Sequence, residues 1–298
     1  GLVALENTEQ ARAWLQSEAP AWRAALHSAA RKGENTQVVK TADAMEWFCN
    51  LWVFWGHWSE LYQLSSQAAA ALDDPDLQAF HLNMQAWALI ECDHRYREAI
   101  ERADEGLRCA RRAGNVPQQA SALSHAAVAH RKLGEAQAAA EKALASVDLY
   151  EEADDCEGWL GALLTYGSSL RFLGRAEESL DQSRRIIAFL DAPDRPVNGH
   201  VADMTRAHAT YALGLDHIAL QQWSEAVASH RDAVAQFRRV GMPYMEGGSL
   251  VSLAEALVGL GERAEARSCL RQALDLGDAA DGVVLQKAQN LLDSLAAE

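Results

Sequence analysis

The chain has 298 residues, 49% of them hydrophobic, and a formal net charge of -15. So large an acidic excess repels a phosphate backbone, which argues against direct nucleic-acid binding, and no apolar run approaches the ~18 residues a membrane helix requires. Cys49, Cys92, Cys109, Cys156 and Cys269 are odd in number, far apart and free of any CxxC pattern, so reduced cytoplasmic thiols are expected rather than a zinc site or a disulfide framework, and there is no signal-peptide pattern.

In chain order, residues 8–32 read as one helix broken at Pro20 or as two short ones, inside an N-terminal helical cap over residues 1–34. Six helical pairs follow over residues 35–280, near 36–55/58–72, 77–92/96–112, 118–132/136–152, 157–172/176–190, 199–219/223–239 and 244–259/263–276. A last helix at about 282–296 forms a C-terminal cap over 281–298. Gly33, Gly114, Gly241 and Gly277 mark C-terminal stops, and Asp73–Pro75 marks a restart. The stretch Asp191–Gly199, with two prolines and a glycine, is the one long linker and reads more readily as an inert insertion than as a functional loop. An opening glycine in place of methionine leads to the expectation that the chain is a fragment excised from a larger protein.

A short pattern punctuates the pairs: a tight turn, then an acidic and a small residue opening a helix. It reads GHWSEL at Gly56–Leu61, HRYREA at His94–Ala99, GEAQAA at Gly134–Ala139, GRAEES at Gly174–Ser179, QQWSEA at Gln221–Ala226 and GERAEA at Gly261–Ala266, with successive ends 38, 40, 40, 47 and 40 residues apart. A period near 40 with two helices per unit predicts an all-α, right-handed superhelical solenoid of stacked antiparallel helix hairpins. Three columns support close helix crossings. The hexamer ends are Leu61, Ala99, Ala139, Ser179, Ala226 and Ala266; seven residues on come Ala68, Gly106, Ser146, Ile186, Ala233 and Ala273; twelve residues back come Cys49, Trp87, Ala127, Gly167, Gly214 and Ala254. Of these 18 residues 15 are Ala, Gly, Ser or Cys, and small side chains are what a short interaxial distance demands.

These hexamers and columns resemble tetratricopeptide repeats in a slightly longer form, over roughly residues 36–276. Tyr166-Gly167 and Leu213-Gly214 match the family's first-helix pair, whereas Trp87 and Leu61 depart from the small columns. A second resemblance lies upstream. AxxWLxxExP at Ala11–Pro20, followed by Ala24-Ala25-Leu26, is similar to the segment opening the C-terminal repeat region of bacterial STAND regulators, signal-transduction ATPases with an NB-ARC-type core that include antibiotic-regulatory and maltose-regulator-like proteins. It implies an upstream nucleotide-binding domain in the same full-length chain.

Chemistry is sparse. There is no GxxxxGK[ST], HExxH, GxSxG or DxDxDG, so no catalytic residue, metal or cofactor is expected. His130 and His217 share a column with Trp52, Ile90, Leu170 and Leu257 and read as packing residues before ligands. Trp47, Trp52, Trp55 and Trp58 crowd the first pair and read as core before interface. The family resemblance places Asp43, Glu46, Asn50, His81, Met84, Glu91, Ser124, Arg131, Ser168, Arg171, His208 and Tyr211 on the inner wall of first helices, with an acidic upper end and a basic middle at Arg131 and Arg171. The function so implied is a module that binds a protein, peptide or small effector, as the sensor or scaffold region of a larger signalling or transcriptional regulator. The alternative is a free-standing adaptor or oligomerisation scaffold.

Overall fold

The computed structural model describes residues 8–194 and 196–297, apart from the side chains of Thr8, Trp47, Asn50, Leu51, Phe54, Asp278 and Ala297. Among the described residues the secondary structure is helical throughout, with no strand. Two compact units are formed, Gly1–Glu135 and Ala136–Glu298. The first holds α1 (Thr8–Ser17), α2 (Ala19–Arg31), α3 (Asn35–Ala44), α4 (Glu46–Leu51), α5 (Trp58–Ala71), α6 (Pro75–Glu91), α7 (Tyr96–Ala113) and α8 (Val116–Lys132). The second holds α9 (Ala136–Glu152), α10 (Cys156–Phe172), α11 (Ala176–Asp191), α12 (Gly199–Ala219), α13 (Trp223–Val240), α14 (Pro243–Leu260), α15 (Arg263–Asp275) and α16 (Gly282–Ala297). The boundary falls inside the third predicted pair, between α8 and α9.

The turns obey one rule. The first residue of every hexamer is left-handed: Gly56, Gly134, Gly174 and Gly261 have φ of 78, 83, 79 and 84°, and His94 and Gln221 take 55 and 56° at the same place. Only glycine adopts this region without a Cβ penalty. The next amide then reaches back into the helix just ended, as Glu135 N–H does to the His130 carbonyl, Arg175 to Leu170, Gln222 to His217 and Glu262 to Leu257, at 2.8–2.9 Å, which satisfies carbonyls the helix end leaves open. Restarts are equally local. Asp74, Asn115, Asp155 and Asn198 accept backbone N–H bonds at the starts of α6, α8, α10 and α12, and Pro20, Pro75, Pro117 and Pro243 sit in first turns, where their missing N–H costs nothing.

Every residue of the three columns is buried except Trp87, which is half-buried. Larger apolar side chains fill the space around them: Leu250, Leu253, Leu257 and Leu270 meet Val284, Leu291 and Leu295 of α16 in the second unit, and Val38, Val39, Phe48, Trp58, Leu61 and Tyr62 form the core of the first. Within each unit the first helices also touch one another. α6 meets α8 in the first unit, and α10 meets α12, α12 meets α14 and α14 meets α16 in the second; the second helices α11, α13 and α15 make no comparable contact with each other. Each unit therefore closes up on its first-helix side.

The predicted helix over 36–55 is a correction. It breaks at Met45 into α3 and α4 and ends in a 3-10 turn at Val53–Trp55. The Trp58 indole N–H takes the Trp52 carbonyl at 2.9 Å, and Trp22, Phe48, Trp52, Trp55 and Trp58 lie ring against ring at 4.7–5.9 Å. Aromatic packing here overrides a continuous helical ladder. These tryptophans thus belong to the core of the first unit; Trp47 lies outside the described side chains.

Candidate binding face of the first helices

In the first unit the acidic end is built at the α3–α4 break. Asp43 closes α3 and Glu46 opens α4. Burial raises the pKa of both carboxyls, and the charge of Asp43 adds to the rise at Glu46. His81 of α6 does not stand open on a wall: it is completely buried, with Tyr62 stacked at 6.5 Å and Phe80 edge-on at 5.1 Å. Its Nε2 lies 3.4 Å from Asp43 Oδ1 without hydrogen-bond geometry, and neither ring nitrogen has a partner. Burial lowers its pKa to about 4 and keeps the ring neutral. Met84 packs on the core, Glu91 is exposed at the end of α6, and Ser124 and Arg131 are half-buried on α8. The Asn50 side chain lies outside the described residues.

In the second unit the structure changes the reading of Arg171. Its Nη1 donates to Asp216 Oδ1 at 2.6 Å, to Ser179 Oγ at 3.3 Å and to the Ala212 carbonyl at 3.4 Å, so most of its charge is committed inward. Asp216 is fully buried, and desolvation raises its pKa against the opposing pull of Arg171. Beside this pair His230 is also fully buried with unpartnered ring nitrogens. It occupies the space a side chain at Gly214 would take, since a Cβ there would come within 2.6 Å of the ring. Tyr211 meets His230 and Phe237 edge-on at 5.4 and 6.3 Å, and His208 meets Phe237 at 5.2 Å, with burial lowering the His208 pKa to about 4. The Ser168 hydroxyl donates to its own helix at the Thr165 carbonyl, 2.8 Å away.

Asp216 and His230 were not singled out by the sequence, yet a signal existed. In their columns the other copies carry Leu89, Ala129, Ser169 and Ala256, and Ser65, Ala103, Ala143, Ser183 and Leu270, all buried. A lone ionisable residue in a column of buried apolar and small side chains marks an internal network. His130 and His217 instead brace the turns that follow them, with Nδ1 2.6 Å from Glu135 Oε2 and from Gln222 Oε1. The linker is tied down as well, through Asn198 N–H to Glu157 at 3.1 Å and Arg206 to Asp191 at 2.8 Å. Among the described residues no three His, Cys, Asp or Glu side chains stand where they could hold a metal ion, and no helix is long and apolar enough to cross a membrane. Burial and the nearby Asp93 and Glu91 charges push the Cys92 thiol up to about 12, far from a reactive thiolate.

No protein-family model matches this chain, and no curated protein matches its sequence. Solved structures do resemble it. NprR in complex with its cognate peptide NprX superposes with a TM-score of 0.62 at 12% identity, over 88% of this chain and 71% of that one. A Rap protein complexed with competence and sporulation factor gives 0.54 at 13%, over 91% and 85%. The nearly identical TPR-like repeats of a Podosopora anserina kinesin light chain give 0.50 at 18%, over 68% and 95%. At such identities the likeness is one of fold: this chain is built of TPR-like helical repeats.

Proposed function

We propose that this chain is a peptide- or protein-binding repeat module, the sensor or scaffold region of a larger bacterial regulator. The observation that carries the reading is the crowding of first helices within each unit. It gathers polar and aromatic side chains of successive repeats onto one face, while His81, His208 and Arg171 there are spent on packing and an internal ion pair rather than arranged as nucleophile, base and orienter. Of the proteins that share the fold, NprR is seen with its cognate peptide NprX and Rap with competence and sporulation factor. The AxxWLxxExP segment on α1 and α2 supports a nucleotide-binding domain preceding the repeats. Binding would then act by favouring one state of that domain over another, with a coupling free energy set by the differential affinity.

The test is to select short peptides from a random displayed library on the immobilised protein and to measure them by calorimetry. Selected peptides should bind the unaltered chain and lose about tenfold in affinity to Tyr211→Ala, as expected for truncation of a central aromatic. Leu144→Ala, at an exposed second-helix position, should leave affinity unchanged. A library that yields no binder, or binders sensitive to Leu144 and not to Tyr211, overturns the reading.

A further inference from the structure

On the side where first helices meet, Arg171 is held from within. Its Nη1 reaches the buried Asp216 carboxylate at 2.6 Å, with the buried Ser179 hydroxyl and the Ala212 carbonyl at 3.3 and 3.4 Å. The bridge runs from α10 to α12, which touch directly. A guanidinium carries its N–H donors in one rigid plane, and all of these bonds leave from Nη1. The N–H groups on Nε and Nη2 take no acceptor among the described residues and are not sealed from water; the side chain is 18% exposed. Fixing one edge of a plane fixes the other, so the outward edge is a set of aimed donors. Arg184 on α11 is the contrast, 62% exposed and holding only Asp181 at 3.6 Å. Beside Tyr211 the wall is bare: a Cβ added to Gly248 of α14 would meet only the Tyr211 hydroxyl, at 3.8 Å. That hydroxyl also has no protein partner among the described residues.

We propose that the outward edge of Arg171 takes a backbone carbonyl of an extended peptide, holding the ligand's main chain without reading its sequence. The neutrality of the acceptor follows from the charge behind the guanidinium. Asp216 already balances it, so a ligand carboxylate would add a second negative charge to a matched pair, in a chain of net charge -15. A carbonyl oxygen accepts through both lone pairs and brings no charge. Main chain is favoured over an asparagine or glutamine side chain because the missing side chain at Gly248 lets a backbone lie close. A donor already held in place also loses little rotamer freedom when the ligand arrives. The assignment rests on the peptide-binding reading for its ligand and adds which group of that ligand is held.

The probe is a peptide selected on the full chain and dependent on Tyr211, remade as a series in which each backbone C=O in turn becomes C=S, a poor acceptor of similar shape. Calorimetry should find one position where the exchange weakens binding to the unaltered chain about tenfold, the size of one hydrogen bond to a charged group. At that position the exchange should leave Arg171→Lys unaffected, since lysine can still meet Asp216 but lacks the planar edge. Arg184→Lys should respond as the unaltered chain does. In the chain labelled with ¹⁵N at arginine, the Arg171 Nε–H signal should shift and exchange more slowly with water when the parent peptide binds, and the thioamide at the sensitive position should lessen both effects. That measurement needs no substitution and decides the matter if Arg171→Lys folds poorly. A series with no position coupled to Arg171, or an Nε–H signal that bound peptide leaves unmoved, overturns the proposal. So does coupling of Arg171 to a ligand carboxylate, seen on amidation, or to an asparagine or glutamine side chain, seen on alanine replacement. Peptides that bind through Tyr211 and give such results leave the peptide-binding reading standing, whereas a library without binders removes both.

Discussion

At the residue scale the left-handed turn position sets a measurable cost. His94 and Gln221 hold φ of 55 and 56° where four other repeats place glycine, and an L-residue in that region loses about 1–2 kcal/mol to steric contact. Gln221→Gly should therefore raise stability by about 1 kcal/mol even after glycine's greater freedom in the unfolded chain is counted. The check is the midpoint of urea unfolding, which should rise, whereas Gly134→Ala should lower it by a similar amount. An unchanged or lowered midpoint in Gln221→Gly would mean that the contact between the Gln222 side chain and His217 requires the present backbone.

The buried histidines give a second residue-scale consequence, in pH. Burial lowers His81 to about 4 and His230 to about 3 from an ordinary 6.5; for His230 the charge of Arg171 adds to the lowering. A histidine depressed in the folded state contributes stability that is whole above its unfolded pKa and is lost as pH falls toward the folded one. The raised carboxyls of Asp43, Glu46 and Asp216 work oppositely: their stabilisation grows as pH falls from their raised folded values and is complete once the ordinary carboxylate range is reached. Between about pH 6.5 and 5 the histidines therefore dominate, at about 2 kcal/mol each by the lower limit. Melting temperature should drop across that window, and His230→Leu should flatten the drop whatever it does to stability at neutral pH. A melting temperature flat from neutrality to pH 5 would contradict the burial of both rings.

At the scale of elements, most of the fold was legible because its rules are local. Turn residues, proline positions and small columns each act within a few residues or at a fixed repeat distance, so α6 through α16 fall close to where the spacing put them. Helices α3 and α4 were not legible as separate elements. Their break follows from contacts between Trp22, Trp52, Trp55 and Trp58, which only the folded arrangement brings together. The same division applies to the candidate face. That Tyr211 and Arg171 lie on first helices followed from register, but the inward commitment of Arg171 depended on Asp216 of the next repeat, 45 residues away. Trp58→Phe tests the element-scale account, since it keeps a large ring and deletes only the indole and its bond to the Trp52 carbonyl. It should destabilise by about 2 kcal/mol, from a buried carbonyl left unpaired and a small void. It should also increase amide exchange at residues 46–55 before the rest of the first unit. Exchange that rises evenly over the unit would instead make the break a property of the α3–α4 sequence itself.

For the molecule as a whole, stability in a stack of repeats is a sum of units and the contacts between neighbours, so an end matters as much as its uncovered face. In the second unit α16 closes the stack: it packs on α14 and α15 and brings Val284, Leu291, Leu292 and Leu295 to the cluster of Leu253, Leu257 and Leu270. Without it that apolar face would meet water. Deleting residues 282–298 should remove about 5 kcal/mol of stabilisation, at roughly 1–2 kcal/mol for each partly buried aliphatic side chain. The effect should be graded along the chain, as nearest-neighbour coupling requires. Hydrogen exchange would quicken most in α14 and α15, less in α12 and α13, and the truncated chain should elute as larger species by size exclusion through its bared face. If exchange instead accelerated equally from α9 to α15, the second unit would be one cooperative core rather than a series of stacked hairpins. The binding face of its first helices would then have to be understood as a single fixed surface instead of one assembled repeat by repeat.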